Sequence, residues 1–361
     1  MSLVGTINFD QLSHITRKHY IPQLVDNIFK SNVVTYRLLA KSQPVSGGYK
    51  VVQPVEYAKS VGNDNSSTAH NGWYKGQDAM AYGASDIIKS AEYDWSQAYG
   101  TVTISAREEN INSGPEAVLD LLQAKLNNIG RVMRDDFAKA IYSDNEPGAT
   151  TPTVSANAPV GLQHVVKSSR NLGGIDSSSN SWWNGGFAKD ISDFGGSDGT
   201  PATFANIKDS TNGAYIQTIF RNAYKDLSIG ADTPSMIVCS QVVFDAYEST
   251  LTDQKRFGAS SQTLADAGFQ NLLYRGIPVV VDQALDLFAP GDTTDANQRV
   301  YFLNEKYMGY KHHSKRNFTF DGYEKPVDRD IRVGKILWMG ALCFSSPRML
   351  GAVEDMPTSY S

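Results

Sequence analysis

The chain has 361 residues, 41% of them hydrophobic and 20% charged, a balance that excludes disorder and collagen-like repetition. Size scaling leaves roughly 14,000 Å² exposed out of ~57,000 Å² in the unfolded chain, enough burial for two domain cores. Thirty-eight acidic against 33 basic residues give a net charge of −5, so no global attraction to nucleic acid or anionic lipid is encoded and any such contact is local. Cys239 and Cys343 lie in apolar, strand-like runs and are expected as reduced core residues, because buried thiols behave as small hydrophobes. No window approaches the ~20 apolar residues of a membrane helix, and the N-terminus lacks a basic region followed by an apolar run. The expectation is a protein made and assembled in the cytosol, with no membrane partner.

In chain order, Ile15, Ile21, Leu24, Val25, Ile28, Phe29, Val33, Leu38 and Leu39 form a loosely helical pattern interrupted by Pro22. This predicts an N-terminal arm with one sticky face. The arm ends at Ser42-Gln43-Pro44 and Ser46-Gly47-Gly48. The β-branched and aromatic run 49–57 predicts a strand, which Pro54 marks as an edge. The polar stretch 62–68 is loop. The return strand alternates, with Ala91, Tyr93 and Trp95 opposite Glu92, Asp94 and Ser96, and resumes with Val102 and Ile104 opposite Thr101 and Thr103. The two runs are expected to pair as one long hairpin over residues 46–105. A two-stranded ribbon is at best marginally stable alone in water, so something else must cover it.

Ser113-Gly114-Pro115-Glu116 has the pattern of a capping box with Pro just inside the helix start. Val118, Leu122, Leu126, Ile129, Met133, Phe137 and Ile141 continue as one apolar stripe. The spacing predicts a helix over 113–143, a strut of roughly 45 Å. From 144 to 211 Asn, Gly, Ser and Thr dominate, and a second, α/β domain begins there. Its expected core is a helix carrying Ile216, Ile219, Phe220, Ala223 and Leu227, a strand at 236–239, a helix capped by Ser240, and a buried strand at 274–282. The last third is strand-rich, at 300–304, 317–320 and 336–344, and there is no internal repeat of 20 to 50 residues.

Nucleotide-binding, hydrolase-elbow, zincin and Cys-x-x-Cys motifs are absent. The histidines His14, His19, His70, His164, His312 and His313 form no pair at a helical ligand spacing, so no metal and no cofactor is expected. The run 292–297 has Ca²⁺-binding residue types without the Gly and terminal Glu of an EF-hand loop, and is expected as plain surface loop. Trp182-Trp183 is either a sugar-stacking platform or, in the preferred alternative, an aromatic plug under the Gly-rich loop. The basic cluster Lys311, Lys315 and Arg316, with His312 and His313, is either a phosphate contact or a solvated face.

The order of parts is arm, long hairpin, capped strut helix, Gly-rich α/β domain and closing strands. It resembles that of tailed-bacteriophage major capsid proteins of the Hong Kong 97 fold. The matching stretches are Tyr93-Asp94-Trp95 leading into Val102-Thr103-Ile104-Ser105, the helix start Glu116-Ala117-Val118-Leu119, Gly161-Leu162, Gly173-Gly174-Ile175-Asp176 and Trp182-Trp183. Gly276-Ile277-Pro278-Val279 and Tyr301-Phe302-Leu303-Asn304 continue the match. The resemblance implies an α+β subunit with an N-terminal arm (1–45), an E-loop hairpin (46–105), a peripheral domain (106–164) holding the spine helix, an axial domain (165–295), and peripheral strands with a C-terminal tail (296–361). It implies a non-enzymatic virion protein whose hexamers and pentamers tile an icosahedral shell around double-stranded DNA, assembled in the host cytoplasm. A separate scaffolding protein, a portal and a decoration protein are the further implied partners, with the DNA held by weak non-specific contact.

Intersubunit contacts are then expected at Tyr57, Tyr93 and Trp95 on the E-loop and at Ile21, Leu24, Val25 and Phe29 on the arm. Trp182 and Trp183 belong to the axial domain, and Lys311, Lys315 and Arg316 are the candidates to face DNA. Lys59 and Lys75 lie where one branch of the family carries a cross-linking Lys, but no Asn partner or promoting carboxylate is identified and the bond is not among the expectations. Two other functions compete: an encapsulin-like nanocompartment shell of the same fold, and a carbohydrate-active enzyme using Trp182-Trp183 with the carboxylates of Asp176 and Asp282.

Overall fold

The computed structural model describes residues 32–57, 76, 86–111, 121–145, 155, 157–197, 200–251, 272–288, 298–357 and 359–360. The first half contains α1 (Val33–Ala40), β1 (Gln43–Val45), β2 (Val51–Glu56), β3 (Ile88–Tyr93), β4 (Ser96–Ser105), α2 (Ala106–Ile111) and α3 (Leu121–Tyr142). Then follow α4 (Leu162–Val166), β5 (Asn171–Leu172), β6 (Ile175–Asp176), β7 (Phe187–Lys189), α5 (Phe204–Lys208), α6 (Ile216–Leu227), β8 (Met236–Cys239), α7 (Gln241–Thr250), β9 (Leu272–Tyr274), β10 (Ile277–Val281) and α8 (Gln283–Phe288). The chain closes with β11 (Gln298–Leu303), β12 (Met308–His313), β13 (Thr319–Glu324), β14 (Ile331–Phe344) and β15 (Gly351–Met356).

A five-stranded sheet is organised by β14, whose run Ile331 to Phe344 is rich in β-branched and aromatic residues and free of Pro. Its first part pairs with β4 from Ile331↔Ser105 to Gly340↔Ser96, and its last part with β12 from Gly340↔His312 to Phe344↔Met308. β13 pairs with the other edge of the first part, across a bulge at Phe320/Tyr323 where Gly322 adopts φ +51°. β1 adds in parallel to β12. The helix α3 lies on one face of this sheet. It seats on Gly100, where an added Cβ would come within 2.3 Å of Ile129 Cγ2, and stands Phe137 perpendicular to Trp338 at 4.6 Å. The described helix has 22 residues, about 33 Å; the predicted start at 113–120 lies outside the described residues.

A six-stranded sheet has the order β7-β15-β11-β8-β10-β9. β8 is buried at all its positions, as a central strand covered on both faces must be. α6 packs on this sheet through Ile216, Ile219, Phe220, Ala223 and Leu227, all fully buried, and the Ser240 hydroxyl accepts from Val243 N–H to cap α7. The buried apolar side chains fall into two clusters, one joining α3, the five-stranded sheet, the base of the β2–β3 ribbon and one face of the six-stranded sheet (Val238, Val280, Tyr301, Leu303), the other joining α6 and α7 to the opposite face of that sheet. Cys239 and Cys343 are free and buried.

Two expectations from sequence are corrected. The hairpin over 46–105 is not one ribbon: β2 pairs with β3 from Val51↔Tyr93 to Glu56↔Ile88, and β4 leaves it to join β14. The inward parity changes at the break, from Ala91 and Tyr93 to Ser96, Val102 and Ile104, which moves β4 to a different partner. The last third is not one set of peripheral strands either. Val300, Tyr301, Phe302 and Leu303 are all buried, Tyr301 and Leu303 in the first core cluster and Val300 and Phe302 in the second, as a strand covered on both faces requires, and β11 lies between β8 and β15 in the six-stranded sheet.

Candidate intersubunit surface

The ribbon β2–β3 has two chemically distinct faces because strand side chains alternate. Val51, Val55, Ala91 and Tyr93 point into the first core cluster. Tyr93 is 5% exposed; its hydroxyl donates to the Phe344 carbonyl at 2.9 Å, and burial pushes its phenol above the ordinary value. Tyr93 is therefore a core residue of its own subunit, with little of its side chain left to meet a neighbour. Trp95 is also engaged within the chain: its indole N–H donates to the Gly48 carbonyl at 2.9 Å and its ring meets His313 edge-on at 5.9 Å.

Tyr57, at the end of β2, stacks on Trp182 with ring centroids 5.1 Å apart and planes inclined by 22°. Lys89 of β3 places its ammonium 5.1 Å from the centre of the Tyr57 ring and donates to Asn180 Oδ1 at 2.9 Å. Glu92 N–H donates to the Gly173 carbonyl at 2.9 Å. Gly173 is required here, with φ +61° and space so tight that a Cβ would lie 3.0 Å from that of Ala91. Trp183 is buried, with its indole N–H on the Leu172 carbonyl at 3.0 Å and its own carbonyl receiving Arg170 Nη2 at 2.9 Å; burial lowers the Arg170 guanidinium to about 10. The Trp182-Trp183 pair thus plugs the Gly-rich loop and clamps the base of the ribbon.

The opposite face of the ribbon is open. Val52 and Ile88 are 50% and 57% exposed, and Pro54, Glu56 and Glu92 share that face. Lys50 lies 3.7 Å from Glu92 and 3.5 Å from Asp94. A second open face occurs on the five-stranded sheet. Cross-strand partners share a face, so Gln97/Met339, Tyr99/Leu337, Thr101/Lys335 and Thr103/Val333 form a row turned away from α3. Tyr99 is 74% exposed, and Leu337, Met339 and Val333 are half-buried. In the sequence only Thr101 and Thr103 mark the outward parity of this row, because its other half lies on a strand more than 200 residues away.

The basic cluster divides. Lys311 donates to Gln53 Oε1 at 2.7 Å and is half-buried between β12 and the ribbon. Lys315 and Arg316 stay exposed in the turn after β12, where the Arg316 carbonyl accepts from Met339 N–H at the border of the Tyr99 row. Asp176 and Asp282 have different surroundings. Asp176 is spent on Ser178, whose backbone N–H donates to it at 2.9 Å, while Asp282 is fully buried. Ile21, Leu24, Val25, Phe29, Lys59, Lys75 and the run 292–297 lie outside the described residues. Among the described residues no group of His, Cys, Asp and Glu is arranged to hold a metal, and no helix is long and apolar enough to cross a membrane.

No protein-family model and no curated protein sequence matches the chain. Solved structures do. The cyanophage A-1(L) capsid asymmetric unit superposes with a TM-score of 0.58 at 11% identity, covering 95% of this chain and 97% of that one. The chain has the Hong Kong 97-type capsid fold. Gordonia phage Cozz gives a TM-score of 0.56 at 12% identity over 98% and 95% of the two chains, and the capsid of the native GTA particle 0.55 at 13% over 94% and 96%.

Proposed function

We propose that this chain is a major capsid protein whose copies assemble as hexamers and pentamers into an icosahedral shell around double-stranded DNA. The observation that carries the reading is end-to-end likeness to phage capsid structures, over 95% of this chain for the cyanophage A-1(L) capsid. In this reading the β2–β3 ribbon is the E-loop, α3 with the five-stranded sheet is the peripheral domain, and the six-stranded sheet is the axial domain. A scaffolding protein, a portal and a decoration protein are separate partners. The virion is its place, and it carries no catalytic cycle.

The two open faces support a head-to-tail contact. The ribbon face offers Val52, Pro54 and Ile88 beside Glu56 and Glu92; the sheet face offers Tyr99, Leu337 and Met339 beside Lys335, Lys315 and Arg316. Both are apolar at the centre; Glu56 and Glu92 outnumber Lys50 on the ribbon face, and Lys315 and Arg316 outnumber what Glu324, paired with Lys335, leaves on the sheet face. A contact between two different patches of identical subunits closes into rings when the rotation permits. Lys315 and Arg316 are the remaining candidates for phosphate contact, since Lys311 is engaged by Gln53.

Negative-stain electron microscopy of the purified chain tests this, with nuclease-protected nucleic acid measured on the same particles. Capsomers, tubes or closed shells are expected. A field of compact monomers at high concentration sinks the reading, and shells that enclose protein cargo instead of DNA would turn it into a nanocompartment.

A further inference from the structure

α1 is an eight-residue helix, too short to be stable by itself in water, so its place depends on what holds it. Two carboxylates hold it, one at each end, and both follow strands of the six-stranded sheet. Asp282, next after β10, accepts from Val34 N–H in the first turn of α1 (3.4 Å) and from the Tyr142 hydroxyl at the end of α3 (2.8 Å), both through Oδ2. Its Oδ1 accepts from Ala284 N–H in the first turn of α8 at 3.0 Å.

At the other end Glu305, which lies just past β11, is paired with Arg37 (Nε to Oε1 2.5 Å, Nη2 to Oε2 3.1 Å) and with Lys41. Only 8% of the Glu305 side chain is exposed, while that of Lys41 is 61% exposed. The apolar attachment between these ends is small: Val33, Val34 and Leu38 are the buried hydrophobic side chains of α1. On the N-terminal side, Asn32 donates to Asp135 of α3; on the C-terminal side the chain enters β1. We propose that α1 is a strap fastened by Asp282 and Glu305, that it fixes where the N-terminal arm leaves the subunit, and that shell closure requires the strap to be fastened. The last clause rests on the capsid reading; the fastening does not.

Hydrogen exchange of the full-length chain, followed by electron microscopy of the same preparations, tests both parts. Glu305→Lys is expected to speed exchange of the α1 amides at least tenfold while β8 and β10 amides keep their protection. The reversed pair Arg37→Glu with Glu305→Arg is expected to restore it. Lys41→Glu changes an exposed side chain that does not threaten folding, and is expected to give a smaller acceleration confined to α1. Unchanged α1 exchange in Glu305→Lys and Lys41→Glu overturns the strap, as does acceleration spread over both sheets in both variants. Closed shells from a variant whose α1 exchanges freely overturn the link to closure. If the parent chain itself forms no shells the capsid reading fails, and the exchange data still decide whether the strap exists.

Discussion

Asp144 lies just past the end of α3 between two basic partners. Lys167 donates to one oxygen and His164 Nδ1 is 3.6 Å from the other. Burial raises this carboxyl, but the hydrogen bonds and charges of His164 and Lys167 outweigh burial and hold it below the ordinary value. A depressed carboxylate contributes stability above its unfolded pKa and loses it as pH falls through the lower folded value. Asp144→Asn is therefore expected to cost about 1–2 kcal/mol at pH 7, with the gap from the parent closing well below pH ~4; urea denaturation across that range measures it. Asp282 works in the opposite sense. Burial raises it, so its ionised form costs stability at neutral pH, and that cost is relieved as pH falls through the folded value. Gly100 is constrained by space instead of charge, with Ile129 Cγ2 at 2.3 Å and Met133 Sδ at 3.1 Å from an added Cβ. Gly100→Val is expected to destabilise by about 1–3 kcal/mol through overpacking, and an unchanged denaturation midpoint would show that α3 can ride outward freely.

Among the elements, the ribbon is the one whose attachment is most easily separated from the rest. Trp182→Ala removes the ring on which Tyr57 stacks, worth about 0.5–1.5 kcal/mol. Faster amide exchange is expected in β2 and β3 and unchanged exchange in β14; equal protection in parent and variant would mean that the Glu92 and Tyr93 contacts alone suffice. Elements with a local signature were legible in the sequence. The stripe Ile129, Met133, Phe137, Ile141 marked α3, the run Met236 to Cys239 marked a buried strand, and Ser240 marked its following cap. Pairing was less legible because partners lie far apart: β4 meets β14 some 230 residues later, and nothing near either strand names the other. The parity change between Tyr93 and Val102 was visible, yet without a partner for β4 it read as an interruption of one ribbon. The site was half legible for the same reason. Tyr93 and Trp95 look sticky in isolation, and only the fold reveals that Phe344, Gly48 and His313 already cover them, leaving Tyr99 and Ile88 outward.

At the scale of the molecule, a shell repeats one weak contact many times. Tyr99→Asp puts an anion opposite the acidic ribbon face, and Ile88→Lys puts a cation opposite the basic sheet face; each also removes an exposed apolar side chain from the centre of the contact. Each is expected to raise the critical assembly concentration about tenfold, equivalent to ~1.4 kcal/mol per contact, with the melting temperature of the isolated subunit unchanged. Light scattering against concentration measures it; assembly at the parental threshold would remove these two faces from the contact.

β14 carries one further implication. Fourteen residues make a rod of roughly 46 Å, and it is gripped on one length by β4 and β13 and on the other by β12. No residue of this rod has a positive φ. In the capsid reading proposed above, a subunit placed at both fivefold and sixfold corners would spread its change of shape along the whole rod as a slight winding or unwinding of the right-handed coil that strands already have. Reconstructions of the two environments, laid over one another, should therefore diverge gradually from one tip of β14 to the other, with no single residue at which the backbone breaks direction.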